Sequence, residues 1–201
     1  MEVATRTANA LNHRIQQAGF PLHKGLEDYD FSVVPSLNKQ QILELALCDW
    51  LDRHENCCFV GSTGVGKTHL SIALGLSACQ RGYRTRFYTA AGLVTELEAA
   101  QKTYRLDRFL EQLDKVHLLI CDELGYLSFS RTGAELLFQV FADRYERASV
   151  LITSNLPFSE WNQIFQGERM TAALLDRLTH HCHIFEINTA ELSIPAVHEQ
   201  A

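Results

Sequence analysis

The sequence predicts a three-layer α/β domain built on a parallel sheet, and three observations carry that prediction. Short apolar runs alternate with helix-length segments, the pattern of parallel strands joined by crossover helices. The apolar runs are almost uninterrupted, as expected of strands covered on both faces. One of them leads straight into a glycine-rich turn that opens a helix, a local arrangement suited to holding an anion. With 201 residues, 46% hydrophobic and 21% charged, and only 4 Pro and 11 Gly, the chain can bury a core without staples. The same figures exclude collagen-like, low-complexity and wholly disordered classes.

The elements follow in order. Residues 1–37 read as an N-terminal segment, irregular apart from a possible helix over 14–20 that Gly19, Pro21 and Gly25 break. Within it, LEDYDF (26–31) alternates acidic and aromatic residues. Residues 38–188 read as the core. In QQILELALCDWLD, Ile42, Leu43, Leu45, Ala46, Leu47 and Trp50 recur at helical spacing behind an N-cap at Asn38 or Ser36. The alternation then runs strand 57–60, helix 67–81, strand 83–89, helix from about 91, strand 116–121, helix 133–147, strand 149–154, helix 170–180 and strand 183–187. Residues 189–201 read as a divergent tail.

Charge and cysteine usage narrow the function classes. Eighteen Lys and Arg against 24 Asp and Glu give a net charge of −6. A wholesale basic coat is therefore excluded, and any nucleic-acid contact must come from local patches or from partners. The six cysteines (48, 57, 58, 79, 121 and 182) form no CxxC pair and sit mostly in apolar runs, as free buried thiols of a reducing compartment do. No apolar stretch approaches the ~18 residues that cross a bilayer, and the N-terminus has no signal-peptide apolar region. The expectation is a cytoplasmic protein with no membrane contact.

The chemistry is densest at Gly61, Ser62, Thr63, Gly64, Val65, Gly66, Lys67 and Thr68, which match GxxxxGK[ST] at every position, after a strand and before a helix. Glycines let successive N–H groups curl inward on phosphate oxygens, and the helix N-terminus adds partial positive charge. Lys67 brings a full charge to the β- and γ-phosphates, and the Thr68 hydroxyl can ligate Mg2+. The strand VHLLIC delivers Asp122 and Glu123 at its carboxyl end, where open α/β sheets bind ligands. Asp122 suits holding the metal ion, directly or through water, and Glu123 suits orienting and deprotonating an attacking water. VLITSN ends in Ser154 and Asn155, and an amide at 155 can reach between the γ-phosphate and that water. Arg177, in LLDRLTHH, can present a guanidinium to the γ-phosphate of a neighbouring subunit. It can equally be a solvated helix arginine linked to Asp176. Arg169 is the less favoured candidate.

Two local clusters are basic: Arg81, Arg84 and Arg86 around the second strand, then Lys102, Arg105 and Arg108 at i, i+3, i+6 spacing on one expected helix. Repeated by every subunit of an oligomer, the second stripe would track a phosphate backbone without reading bases. The alternative is an ordinary solvated face balanced by Glu96, Glu98 and Asp107. A zinc reading of His180-His181-Cys182-His183 is set aside, because consecutive residues at a helix-to-strand junction point in different directions. A GTPase reading of Asp122-Glu-Leu-Gly125 lacks the guanine-binding NKxD.

Taken together these elements resemble the AAA+ class of P-loop ATPases and, more narrowly, the IstB-type insertion-sequence ATP-binding proteins, relatives of the helicase loader DnaC. The resemblance runs from about Arg14 to Asn188 and rests on FPLHKGLEDYDFSVVPSLN, GSTGVGKTHLSIALG, RGYRTRFYTAAGLV, LLICDELGYL, GAELLFQVFADRYE, ITSNLPFSEWNQIF and LLDRLTHHCHIFEIN. It implies ATP and Mg2+ as cofactors, hydrolysis to ADP and phosphate, ATP-dependent homo-oligomers on double-stranded DNA, and a transposase as protein partner. It also implies that LEDYDF helps shape the pocket for the nucleotide base. Family members carry a further helical domain, of which 1–37 reads as a remnant. They continue after FEIN with a Gly-Glu-Ser-Tyr-Arg-like tail, whereas this chain reads TAELSIPAVHEQA, as a truncated, frameshifted or diverged copy would. Other readings are a DnaC-like helicase loader, a nucleotide-binding module without turnover, and a small-molecule kinase. The last would be expected to carry a lid or acceptor segment in place of a Glu beside the metal-holding Asp.

Overall fold

A computed structural model describes residues 2–188; the tail expected over 189–201 lies outside the described residues. The element order is α1 (Glu2–Ala18), α2 (Lys39–Leu45), α3 (Asp49–Asp52), β1 (Asn56–Gly61), α4 (Lys67–Gln80), β2 (Thr85–Thr89), α5 (Ala90–Lys102), α6 (Leu106–Asp114), β3 (Leu118–Leu124), α7 (Arg131–Arg144), β4 (Ser149–Ser154), α8 (Asn162–Phe165), α9 (Glu168–Thr179) and β5 (Cys182–Ile187). The five strands form one parallel sheet in the order β2-β3-β4-β1-β5. The three-layer α/β expectation holds. No helix among the described residues is long and apolar enough to cross a membrane.

Strand alternation divides the core in two, because successive side chains leave opposite faces. Cys57, Phe59, Leu118, Ile120 and Leu151 join α1, α2, α3 and α4 on one side. Cys58, Val60, Leu119, Cys121, Val150 and Ile152 meet α5, α7, α8 and α9 on the other. The cysteines are free, and all but Cys182 are buried.

Three local expectations are corrected. The first helix is longer than the segment over 14–20: α1 starts at Glu2 and lays Leu11, Ile15 and Ala18, at i, i+4, i+7, against the core. Arg14 fixes it by donating to the Cys79 carbonyl at 2.9 Å. Second, the expected single helix beyond Asn38 breaks in two. Asn38 does cap α2, accepting from the amides of Gln40 and Gln41. The chain then turns through Cys48 (φ +67), so that buried Trp50 donates its indole N–H to the Leu45 carbonyl at 2.9 Å. That bond satisfies the buried indole.

The third correction concerns Lys102, Arg105 and Arg108, which do not share one helix. Lys102 ends α5, Tyr104 takes a left-handed turn (φ +55), Arg105 sits at the N-cap of α6 and Arg108 lies within it. The reversal is closed by the Arg105 amide donating to the Ala100 carbonyl at 2.8 Å.

Strand order matters most for function. β4 lies between β1, which feeds the glycine-rich loop, and β3, which carries the acidic pair. The carboxyl end of β4 therefore opens between the loop and the acids.

Candidate functional site

The loop following β1 brings together the residues predicted from its signature. Lys67 opens α4, and its ammonium donates to the carbonyls of Gly61 at 2.8 Å and Ser62 at 2.6 Å. Burial holds the Lys67 pKa below the ordinary lysine value, against the opposing pull of Asp122 and Glu123. Gly66 takes φ +89, and a Cβ there would come within 2.6 Å of the Tyr29 ring. Only glycine meets both demands. Tyr29 reaches the loop from the N-terminal segment and donates its hydroxyl to the Val65 carbonyl at 2.8 Å, while the His69 Nε2 lies 2.9 Å from the Gly25 carbonyl. The LEDYDF segment thus rests on the loop and on the first turn of α4.

The acids of β3 arrive across the sheet. Thr68 donates to both Asp122 oxygens, at 3.0 and 2.9 Å. Asp122 is only 2% exposed. Burial raises its pKa, opposed by hydrogen bonds from Thr153 and Thr68 and by the charge of Lys67. Two consecutive strand residues ordinarily face opposite ways. Here the β3–β4 register slips between Cys121 and Leu124, and Glu123 adopts φ +59. That bulge turns the exposed Glu123 into the same cavity as Lys67 and Thr68, a space of about 280 Å3 also lined by Ser154 and Asn155. A non-glycine residue in the left-handed region is strained by ~1–3 kcal/mol, and such strain gathers at functional sites.

Sequence reasoning missed Thr153. Its hydroxyl donates to Asp122 Oδ1 at 2.6 Å and accepts from the Glu123 amide at 2.9 Å, joining the two acids through one oxygen. Read locally, it is one more residue of an apolar strand. Only the placement of β4 beside β3 gives it this role. Ser154 donates to the Leu124 carbonyl at 2.7 Å and fastens the same junction.

A hydroxyl and a carboxylate side by side are hard oxygen donors of the kind that bind Mg2+, and Thr68 and Asp122 fit such an ion. The curled loop at the N-terminus of α4 fits a chain of phosphates.

Other predicted residues lie elsewhere. Arg177, near the end of α9, packs its guanidinium 6.0 Å from the centre of the Phe138 ring. It borders a small cavity with Asn56 and Val150, at the amino ends of β1 and β4. The glycine-rich loop leaves the carboxyl end of β1, about 17 Å along a six-residue strand. Arg177 therefore cannot serve the cavity of its own chain. Lys102, Arg105 and Arg108 are exposed at the α5–α6 turn. The four residues from His180 form no common site. Cys182 faces Cys58, with the sulfurs 3.6 Å apart, and His183 lies 2.8 Å from Glu55. Contrary to expectation, however, His180 and His181 do approach each other, their rings 4.3 Å apart, with exposed Glu146 beside them.

Comparison with known proteins identifies the family to which the chain is similar. The protein family described as IstB-like ATP binding protein matches residues 1–194. An insertion-sequence protein (IS5376) of Geobacillus stearothermophilus, named for ATP binding, is 40% identical over 186 residues, covering 92% of this chain and 74% of the relative. A similarly named protein of Sinorhizobium fredii is 38% identical over 188 residues, and this chain covers 63% of its length. AMPPCP-bound DnaA from Aquifex aeolicus superposes with a TM-score of 0.69 at 23% identity, over 84% of this chain and 51% of that one. The DnaC helicase loader gives 0.58 at 23%, over 74% and 86%. At such identities the two structures establish the AAA+ fold alone, whereas the sequence matches go further: the chain belongs to the family of IstB-like ATP binding proteins.

Proposed function

We propose that this chain is an ATP-hydrolysing switch that assembles as a homo-oligomer on double-stranded DNA and acts on a transposase. One observation supports hydrolysis above the others. Thr68, Asp122, Thr153 and Glu123 form a continuous hydrogen-bonded chain along the cavity that also holds Lys67. A site that only bound phosphate would need the loop and the lysine, but not a glutamate turned into the cavity by a bulge.

In this reading the loop amides of residues 61–68 and Lys67 neutralise the phosphates, with Lys67 exchanging its bonds to Gly61 and Ser62 for phosphate oxygens. Thr68 and Asp122 would hold Mg2+, which when bound would supply charge neutralisation at the phosphates. Glu123, exposed and unencumbered by a buried partner, orients a water and accepts its proton. Asn155, at the mouth of the same cavity, hydrogen-bonds near the γ-phosphate. Arg177 reaches the cavity of a neighbouring copy, which makes turnover depend on assembly. Lys102, Arg105 and Arg108 contact the DNA backbone. The cytoplasm is the compartment for this work.

The deciding experiment measures ATP hydrolysis with and without duplex DNA, for the unaltered chain and for Glu123→Gln. DNA-stimulated turnover that falls ~100-fold or more in the variant, with ATP still bound, supports the switch. ATP binding without turnover in either protein would leave a nucleotide-dependent binding module. Gel filtration with ATP and DNA, repeated on Arg177→Ala, tests the contribution between subunits.

A further inference from the structure

The two basic clusters are in different states. Arg81, Arg84 and Arg86 each donate to a backbone carbonyl, of Ala46, Lys115 and Gln17 respectively, and so act as braces between elements. Lys102, Arg105 and Arg108 have no side-chain hydrogen bond and no ion pair among the described residues. The acids that might balance them do not: Glu98 accepts from Ser130 instead, and Glu96 and Asp107 pair with none of the three. Three free cations therefore stand together on a chain whose net charge is −6.

Between them stands Tyr104, 99% exposed, the most exposed of the large apolar side chains among the described residues. Isolated exposed hydrophobes are ordinary. This one is held out on a left-handed turn (φ +55) that the Tyr104 amide closes on the Gln101 carbonyl at 3.2 Å. A fully exposed aromatic ring flanked by unpaired cations is the pairing that single-stranded nucleic acid recognises: rings stack on bases while cations hold phosphates. Beside the turn, a groove of about 540 Å3 between α5 and α6 is lined by Ala99, Ala100, Phe109, Arg105 and Arg108, with Glu96 as its one carboxylate.

We propose that Tyr104 is a stacking platform for an unpaired DNA base, with Lys102, Arg105 and Arg108 holding the flanking phosphates. The inference rests on the DNA-binding part of the proposed function and sharpens it: the favoured DNA is locally unpaired rather than uniformly duplex. The platform is also separate from the nucleotide cavity. α5 leaves the carboxyl end of β2 and its 13 residues carry the chain about 20 Å away before Tyr104.

The test measures binding of the ATP-loaded full chain to three DNAs: a paired duplex, the same duplex with an unpaired bulge carrying the fluorescent base 2-aminopurine, and the single strand. Tyr104→Phe keeps the preference for unpaired DNA. Tyr104→Ala weakens binding to bulge and single strand by about 5- to 150-fold, the range of ~1–3 kcal/mol for one stacked base. It also abolishes the 2-aminopurine signal and leaves the paired duplex close to the unaltered protein. Reversing all three cations weakens every DNA and lowers the slope of log affinity against log salt by about 2 on the single strand. Equal binding and signal for Tyr104→Ala overturns the stacking role alone, as does an equal loss on all three DNAs. An unaltered chain that binds none of the three overturns the DNA reading together with this one.

Discussion

The two ends of the parallel sheet each hold a cation on backbone carbonyls, and the contrast separates chemistry from architecture. At the amino end Arg144, 4% exposed, donates to the carbonyls of Leu113, Val116, His117 and Ser149. Burial draws its pKa down to about 10, and no carboxylate among the described residues pairs with it. Those carbonyls close the entries to β3 and β4, so the guanidinium bolts two strands in register. At the carboxyl end Lys67 has only two such bonds, both to its own loop, and lies partly open to the cavity. Glu123 holds a left-handed φ beside it, and Gly64 and Gly66 take positive φ in the loop at no steric cost. A planar fork whose two terminal nitrogens reach four carbonyls, with only its buried Nε left unpartnered, is structural. A single ammonium on exchangeable bonds is available to a ligand.

The sharpest way to break this comparison is to exchange the two losses. Arg144→Leu leaves four carbonyls without their shared donor, and we expect a loss of about 3–5 kcal/mol of stability by thermal or urea unfolding. The fraction that folds should still bind ATP. Lys67→Ala should do the reverse: ATP affinity falls by about 100-fold or more, each bond to a charged donor being worth ~1.5–3 kcal/mol, while the melting temperature moves little. If both variants lose stability alike, the division between the two ends is wrong.

Thr153→Val sharpens it further. Removing the hydroxyl shared by Asp122 and the Glu123 amide should cost about 1–3 kcal/mol of stability. Turnover should fall more than ATP affinity, because the bulge that aims Glu123 loses its anchor. Thr153→Ser should restore turnover. Equal effects on affinity and rate would reduce Thr153 to a packing residue.

The smallest expected effect is acid stability at the amino end. Hydrogen bonding from Arg53 draws the Glu55 pKa from 4.5 to about 2, with His183 adding to it. A lowered carboxylate pKa stabilises the fold above the unfolded value, and that contribution fades as pH falls from about 4.5 to 2. The pair is near the surface, so screening leaves about 1 kcal/mol or less. Asp122 has the opposite sign. Its raised pKa means that the ionised form opposes folding, and acidification relieves the cost. Glu55→Gln should flatten the acid limb of a stability–pH curve, and Asp122→Asn should raise stability at neutral pH without nucleotide.

What could be read in the sequence was whatever has a local signature. The alternation of strands and helices, the loop of residues 61–68 and the pair at 122 and 123 are each contained in a few consecutive residues, and all appear where expected. What escaped depends on neighbours distant in the chain. Thr153 matters because β4 inserts beside β3, thirty residues away. The break after Leu45 depends on where a buried indole finds an acceptor. The division of Lys102 from Arg108 depends on one left-handed φ at Tyr104, which no spacing rule anticipates. For α1, the breakers at Gly19 and Pro21 were read correctly as an end, but its beginning has no strong signal before Glu2.

The position of Arg177 has a consequence for any assembly in which it completes a neighbour's cavity. Donor and recipient lie on opposite ends of one sheet, so copies joined head to tail each pass an arginine on in the same direction. A closed circle supplies every cavity with an arginine. An open spiral, whatever its length, always leaves one terminal cavity without one, and that single odd terminus gives the whole array a polarity along its axis.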